Sequence, residues 1–172
     1  QKRVLLLAHW DSRPIADNDT IDVNKPIDGA DDGGSGVAVL LEIARQLSKA
    51  DLKIGVDLFV ADLEDYGQPD VSDKPKIQDS WCLGTQYWAK NPHVPGYSAN
   101  YGILLDMVGA KGAVFPREGT SSHYAPDVVN KVWNIAKSIG NSSYFTDDIT
   151  GSTTDDHLYV NTIAKIPCID IV

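Results

Sequence analysis

Only two cysteines occur in the 172 residues, and no cluster of Lys or Arg and no apolar run near the length of a membrane span is present. Cys82 and Cys168 lie in apolar contexts, so two buried thiols are expected rather than a disulfide framework, and the count says nothing about compartment. Cations are in short supply, with 15 basic against 24 acidic residues and a formal net charge of −9. That balance argues against a nucleic-acid partner or an anionic membrane surface. The apolar runs fall far below the ~20 residues a bilayer requires, no secretory signal occupies the first residues, and neither repeats nor low-complexity tracts are found. What remains is ordinary globular composition, 42% apolar and 23% charged, in a length suited to one domain spanning 1–172. The sequence opens almost directly into one apolar strand and stops inside another, Pro167 to Val172. A strand needs neighbours and a covering layer, so further sequence is expected on both sides and the chain reads as a fragment.

Three short aliphatic runs end in acidic or imidazole side chains: VLLLA leads to His9-Trp10-Asp11, LFVADL to Glu64-Asp65, and ILL to Asp106. Runs of that length read as buried parallel strands, Arg3 to Leu7, Val56 to Ala61 and Gly102 to Asp106, and ligands of open α/β sheets sit beyond the strands' carboxyl ends. The acids should therefore converge. Several carboxylates and an imidazole cannot share a dry crevice without a cation, which points to a divalent metal. A helix is expected from Ser35, with Val37, Leu40, Leu41, Ala44 and Leu47 on its apolar side. Asp31 and Asp32 precede it, where the helix N-terminus favours the ionised carboxylate that a metal requires. A short helix is expected around Cys82 to Lys90. Pro126 opens another, striped by Val128, Val129, Val132, Ile135, Ala136 and Ile139 and ended by Gly140. The polar segment between the first strand and the first helix reads as a functional loop, and 67–80 as a second irregular stretch.

Each candidate has a plainer alternative. His9 could be an ordinary hydrogen-bonded histidine, although Asp11 two residues on lies on the same side and could orient its ring. GADDGGSG could be an Asp-Gly turn, or a loop whose glycines let the backbone pack closely while the Asp32 side chain reaches a ligand. Glu64-Asp65 could be two solvated acids, or a metal ligand beside a general acid/base. Asp106 is either a strand-end site residue or a helix cap, and Asp155-Asp156-His157 reads first as a cap for a short helical stretch. Tyr66 and Trp81 read as core packing or as a pocket wall.

In their order along the chain, HWDSRP, DGADDGGSGVAVLLEIARQL, LFVADLEDYG, QDSWCLGTQYWA, NPHVPG, LLDMVGAKGAVFP and DDHLYVNTIAKIP resemble the animal-type glutaminyl cyclases of the zinc aminopeptidase superfamily. The resemblance implies a three-layer α/β/α sandwich with a central mixed, mostly parallel sheet, and zinc as cofactor. It implies that Asp32 and Asp65 bind zinc, that Glu64 is the proton shuttle, and that Asp106 and Asp155 form a carboxylate pair sharing a proton. In the aminopeptidase branch, His9 and Asp106 would instead hold a second zinc bridged by Asp32. The substrate implied is a peptide or protein N-terminus: N-terminal glutamine closed to pyroglutamate with loss of ammonia, or, in the aminopeptidase branch, a residue removed. A periplasmic or secreted location is implied as well. A binding module that kept the fold without the activity is a third possibility, against which Glu64 argues. The chain departs from the pattern in having Asp65 where the family has Glu, and in lacking the histidine ligand expected beyond the last strand. His93, His123 and His157 match other segments, and the animal enzymes' paired cysteines are replaced by Ala8 and Val37.

Overall fold

A computed structural model describes residues 2–69 and 74–172. The loop expected over 67–80 falls partly on residues 70–73, outside the described residues. The first strand, β1 (Arg3–His9), is followed by α1 (Gly34–Leu47), β2 (Gly55–Ala61), α2 (Leu83–Lys90) and β3 (Tyr101–Leu105). The chain continues through β4 (Phe115–Arg117), α3 (Gly119–Tyr124), α4 (Pro126–Ser138), β5 (Phe145–Ile149), α5 (Asp156–Thr162) and β6 (Cys168–Ile171). Four strands form a sheet in the order β2-β1-β3-β6, every pair parallel. The short strands β4 and β5, which the sequence pattern did not reveal, make a separate parallel pair.

Alternation along the strands sorts side chains into two cores and so creates the three layers. Ala8, Leu105, Ile169 and Ile171 pack on one face against Leu40 of α1 and Val128, Val129 and Trp133 of α4. Leu5, Leu7, Leu104 and Cys168 pack on the other against Val160 of α5, with Trp88 of α2 at the margin. Both cysteines are free and buried, as expected. The two amphipathic helices depart from expectation at their edges. Leu41, Ile135 and Ile139 are mostly exposed, whereas Trp133 is buried. A period of 3.6 residues leaves positions on the stripe's flank undecided until the angle of packing is known, and a bulky indole reaches the sheet from such a position.

One glycine sets how closely α1 approaches the sheet. A Cβ on Gly36 would lie 2.1 Å from the Leu105 carbonyl oxygen. Gly36→Ala is expected to destabilise the fold by about 1–3 kcal/mol through overpacking. The check is the urea midpoint, which should fall with an unchanged slope; an unaltered midpoint would mean that helix and sheet separate freely. No helix among the described residues is long and apolar enough to cross a membrane.

Candidate functional site

In the strand order the chain leaves β1 in one direction for β2 and later returns to β1's other side as β3. Beyond the carboxyl ends of β1 and β3, such a reversal opens a crevice. His9 ends β1 and Asp106 follows β3, so both lie at that crevice, buried. His9 Nε2 is 3.1 Å from Asp106 Oδ1 and 3.1 Å from Asp32 Oδ1. Its Nδ1 lies 3.1 Å from the Asp11 carbonyl oxygen and 3.6 Å from Asp11 Oδ1, so the ring is oriented chiefly by the main chain of Asp11. The Asp11 carboxylate serves elsewhere, its oxygens accepting from the Glu64 and Asp65 amides at 3.1 and 2.9 Å and so tying the loop after β2 to the end of β1. Gly33 leaves the room that His9 needs, since a Cβ there would meet the His9 carbonyl oxygen at 2.3 Å and its ring at 2.7 Å.

Glu64 is held from the other side by the start of α2. The amides of Cys82, Leu83 and Gly84 donate to the carbonyls of Glu64, Leu63 and Asp62, and the Cys82 thiol donates to Glu64 Oε1 at 3.2 Å. Leu63, Cys82 and Met107 adopt positive φ, each beside a site residue or bonded to one. Backbone strain of this kind gathers where a constellation must be held in place. Burial, then the charge of Asp156 and other neighbours against that of His9, push Glu64 up to about 8. Asp65 is pushed up to about 6 by burial and by Asp32, against Arg13, whose Nε lies 3.2 Å from Asp65 Oδ1. Arg13 stacks on Trp81, its guanidinium carbon 4.7 Å from the ring centre. Tyr66 is largely exposed and so is not core packing.

Behind Glu64 lies a layer that the sequence pattern revealed only in part. Asp155 caps α5, as expected, and is buried. Beside it are Asp156, His157 and Asp170, all buried, and His157 meets Glu118 at 3.2 Å through Nε2. Glu118 caps α3 and also accepts from the amides of Thr120, Ser121 and Thr153. Burial works against its charge, but His157 and these amides outweigh it and hold the Glu118 carboxyl below the usual range. Asp170 was overlooked because it stands inside an apolar run. A lone acid in a strand covered on both faces is the signal that would have revealed it.

Three donor atoms from His9, Asp32 and Asp106 lie within 4.8 Å of one another, as do those from Glu64, Cys82 and Asp155 and those from Asp155, His157 and Asp170. Among the described residues, no such group of three includes Asp65. Asp65 is nevertheless near enough to Asp32 for its proton affinity to feel that charge. Asp106 acts on Asp155 in the same way, behind Asp170, Glu64 and Asp156. Burial opposes a charge on His9, yet the carboxylates of Asp106, Asp11 and Asp32 raise its affinity for a proton far above that of a free imidazole. The site therefore draws a cation, and one imidazole nitrogen facing two carboxylates is a donor set that zinc accepts. His93 and His123 stand apart, packed against Tyr97 and Tyr124.

A parallel sheet covered on both faces, with an imidazole and carboxylates converging at its switch point, defines an α/β domain of the metal-dependent exopeptidase type. All of residues 1–172 match the profile of Peptidase family M28, and the chain belongs to that family. Among solved structures it is similar to a Zn-dependent exopeptidase from Parabacteroides distasonis, at 54% identity and a TM-score of 0.96, covering 99% of this chain and 59% of that one. It is also similar to the glutaminyl cyclase of Tannerella forsythia, at 55% identity and a TM-score of 0.94, with the same coverage. A third is Bacteroides thetaiotaomicron glutaminyl cyclase bound to N-acetylhistamine, at 49% identity, a TM-score of 0.96 and coverage of 99% and 59%. The chain thus spans about three-fifths of the length of the structures it matches. A search of curated proteins returned no match.

Proposed function

We propose that the protein is a zinc-dependent glutaminyl-peptide cyclotransferase, acting on peptides or proteins that begin with glutamine. The observation that carries this reading is Glu64, whose main chain is held by the Cys82 amide and whose carboxyl meets the Cys82 thiol, with burial and its neighbours pushing its proton affinity up to about 8. A single group so placed can both accept and return a proton. The likeness to glutaminyl cyclases at 49–55% identity supports the same reading. Glu64 takes a proton from the substrate's α-amine as its nitrogen bonds to the γ-carbonyl carbon, and gives one to the amide nitrogen that departs as ammonia. Asp106 and Asp155 stabilise Glu64 through that exchange. Asp32 and Asp65 would hold the zinc. When bound, the metal supplies polarisation of the γ-amide carbonyl and neutralises the developing oxyanion.

A second reading, a two-zinc aminopeptidase in which Glu64 activates water, is favoured by the group formed by His9, Asp32 and Asp106. The products separate the two. The full-length, zinc-loaded enzyme is expected to release ammonia from a Gln-initiated peptide and to leave the peptide chain intact. Release of a free N-terminal amino acid, with two zinc ions per protein, would establish the peptidase instead.

A further inference from the structure

Asp170 is one of several buried groups that the proposed chemistry leaves unused. It stands on β6 with 1% of its surface exposed, and neither carboxylate oxygen has a hydrogen-bond partner. Its amide donates to Ser121 Oγ at 2.8 Å, which fixes the backbone but leaves the side chain unsatisfied. The acid faces α5, where Asp155, His157 and Asp170 bring one donor atom each within 4.8 Å. Asp155 also belongs to the group with Glu64 and Cys82, so it is the link between Asp170 and the proton shuttle.

Two buried carboxylates are both acceptors and can bond to each other only through a proton. The side chains named around Asp170 are mainly acids, and burial adds to their effect. Asp106, Glu118, Asp156 and Glu64 all act on Asp170 with like sign. His157 donates through Nε2 to Glu118, which leaves its unpartnered Nδ1 an acceptor on the neutral ring and no donor for Asp170. An ionised Asp170 would face this array with no partner for either oxygen, whereas the neutral acid supplies a donor where one is missing. We propose that Asp170 is a positioning residue: held as the neutral acid, it donates its proton to Asp155 and fixes that carboxylate beside Glu64. This deepens the cyclase reading and rests on it for its consequence in catalysis, but the protonation itself can be read without turnover.

An amide mimics a neutral carboxylic acid in shape and in its ability to donate. In the full-length zinc enzyme, Asp170→Asn should keep kcat within about threefold of the parent, since a same-shaped donor replaces the acid. Asp170→Ala should lower kcat about 10²-fold with little change in KM, because a displaced Asp155 misplaces Glu64. Thermal melting gives the independent readout. A carboxyl whose proton affinity is raised by folding stabilises the native state fully below its unfolded value, about pH 4, and that contribution is lost as pH rises through the folded value. The Tm of the parent should therefore fall as pH rises above about 4, and the fall should be smaller in Asp170→Asn by about 3 °C or more. An Asn variant as impaired as Ala, losing bound zinc or melting with the parent's pH dependence, would overturn the proposal and make Asp170 a charged ligand. Should the Ala variant not fold, the Asn variant still decides. If the parent releases no ammonia, the cyclase reading fails while the melting profiles still judge the proton on Asp170.

Discussion

Glu64→Gln in the full-length enzyme is expected to lower kcat for pyroglutamate formation by about 10²–10⁴-fold, the range for loss of a positioned general acid/base. The amide keeps the shape of the side chain and can still meet the Cys82 thiol, so KM and zinc content should change little. Burial in the crevice and the charges of Asp156 and Asp65 give this carboxyl its high proton affinity, and the charge of His9 restrains it. None of those influences is available to an amide, which can neither take nor return a proton. Unchanged turnover would remove Glu64 from the chemistry, and with it the argument that Glu64 makes against a binding module.

Withdrawal of zinc should have the second large effect. Treatment with a chelator is expected to abolish turnover and to lower Tm by about 10 °C, since a ligand present at a thousand times its Kd stabilises by about 4 kcal/mol. Asp32→Ala should do the same without a chelator. Its carboxylate lies 3.1 Å from His9 Nε2 and also influences Asp65, so its loss touches both candidate ligand groups. Counting the ions bound by the parent then distinguishes one zinc from two. An Asp32→Ala protein with full zinc content and parental Tm would contradict the placement of the metal.

Much of this arrangement was legible because parallel strands announce their ends. A run of aliphatic residues that stops at an acid marks both a buried strand and its carboxyl end, and His9, Glu64, Asp65 and Asp106 were all found in this way. Asp32 and Asp155 were visible through the glycines and the cap motif around them, although Asp31 proved to have a separate role, accepting from the Gly109 amide. Contacts set by main-chain direction were harder to read. Asp11 orients His9 through its carbonyl, and the α2 amides zip onto Leu63 and Glu64, neither of which depends on side-chain identity. Glu118 escaped notice because Glu is an uncommon N-cap, and its two further partners, Thr153 and His157, are distant in sequence. Arg13 lay within a recognised motif, but its pairing with Asp65 depends on a loop path that local pattern does not encode.

The strand order β2-β1-β3-β6 also has a consequence for how the molecule comes into being. Neighbouring strands lie far apart along the chain, and the residues gathered at the crevice are drawn from positions as far apart as 9, 32, 64, 106 and 155. No local stretch of nascent polypeptide presents more than a fragment of the cradle, so the ion has nothing to seize until the sheet has closed. Zinc is therefore a latecomer that locks a finished architecture against opening, rather than a template around which the chain condenses.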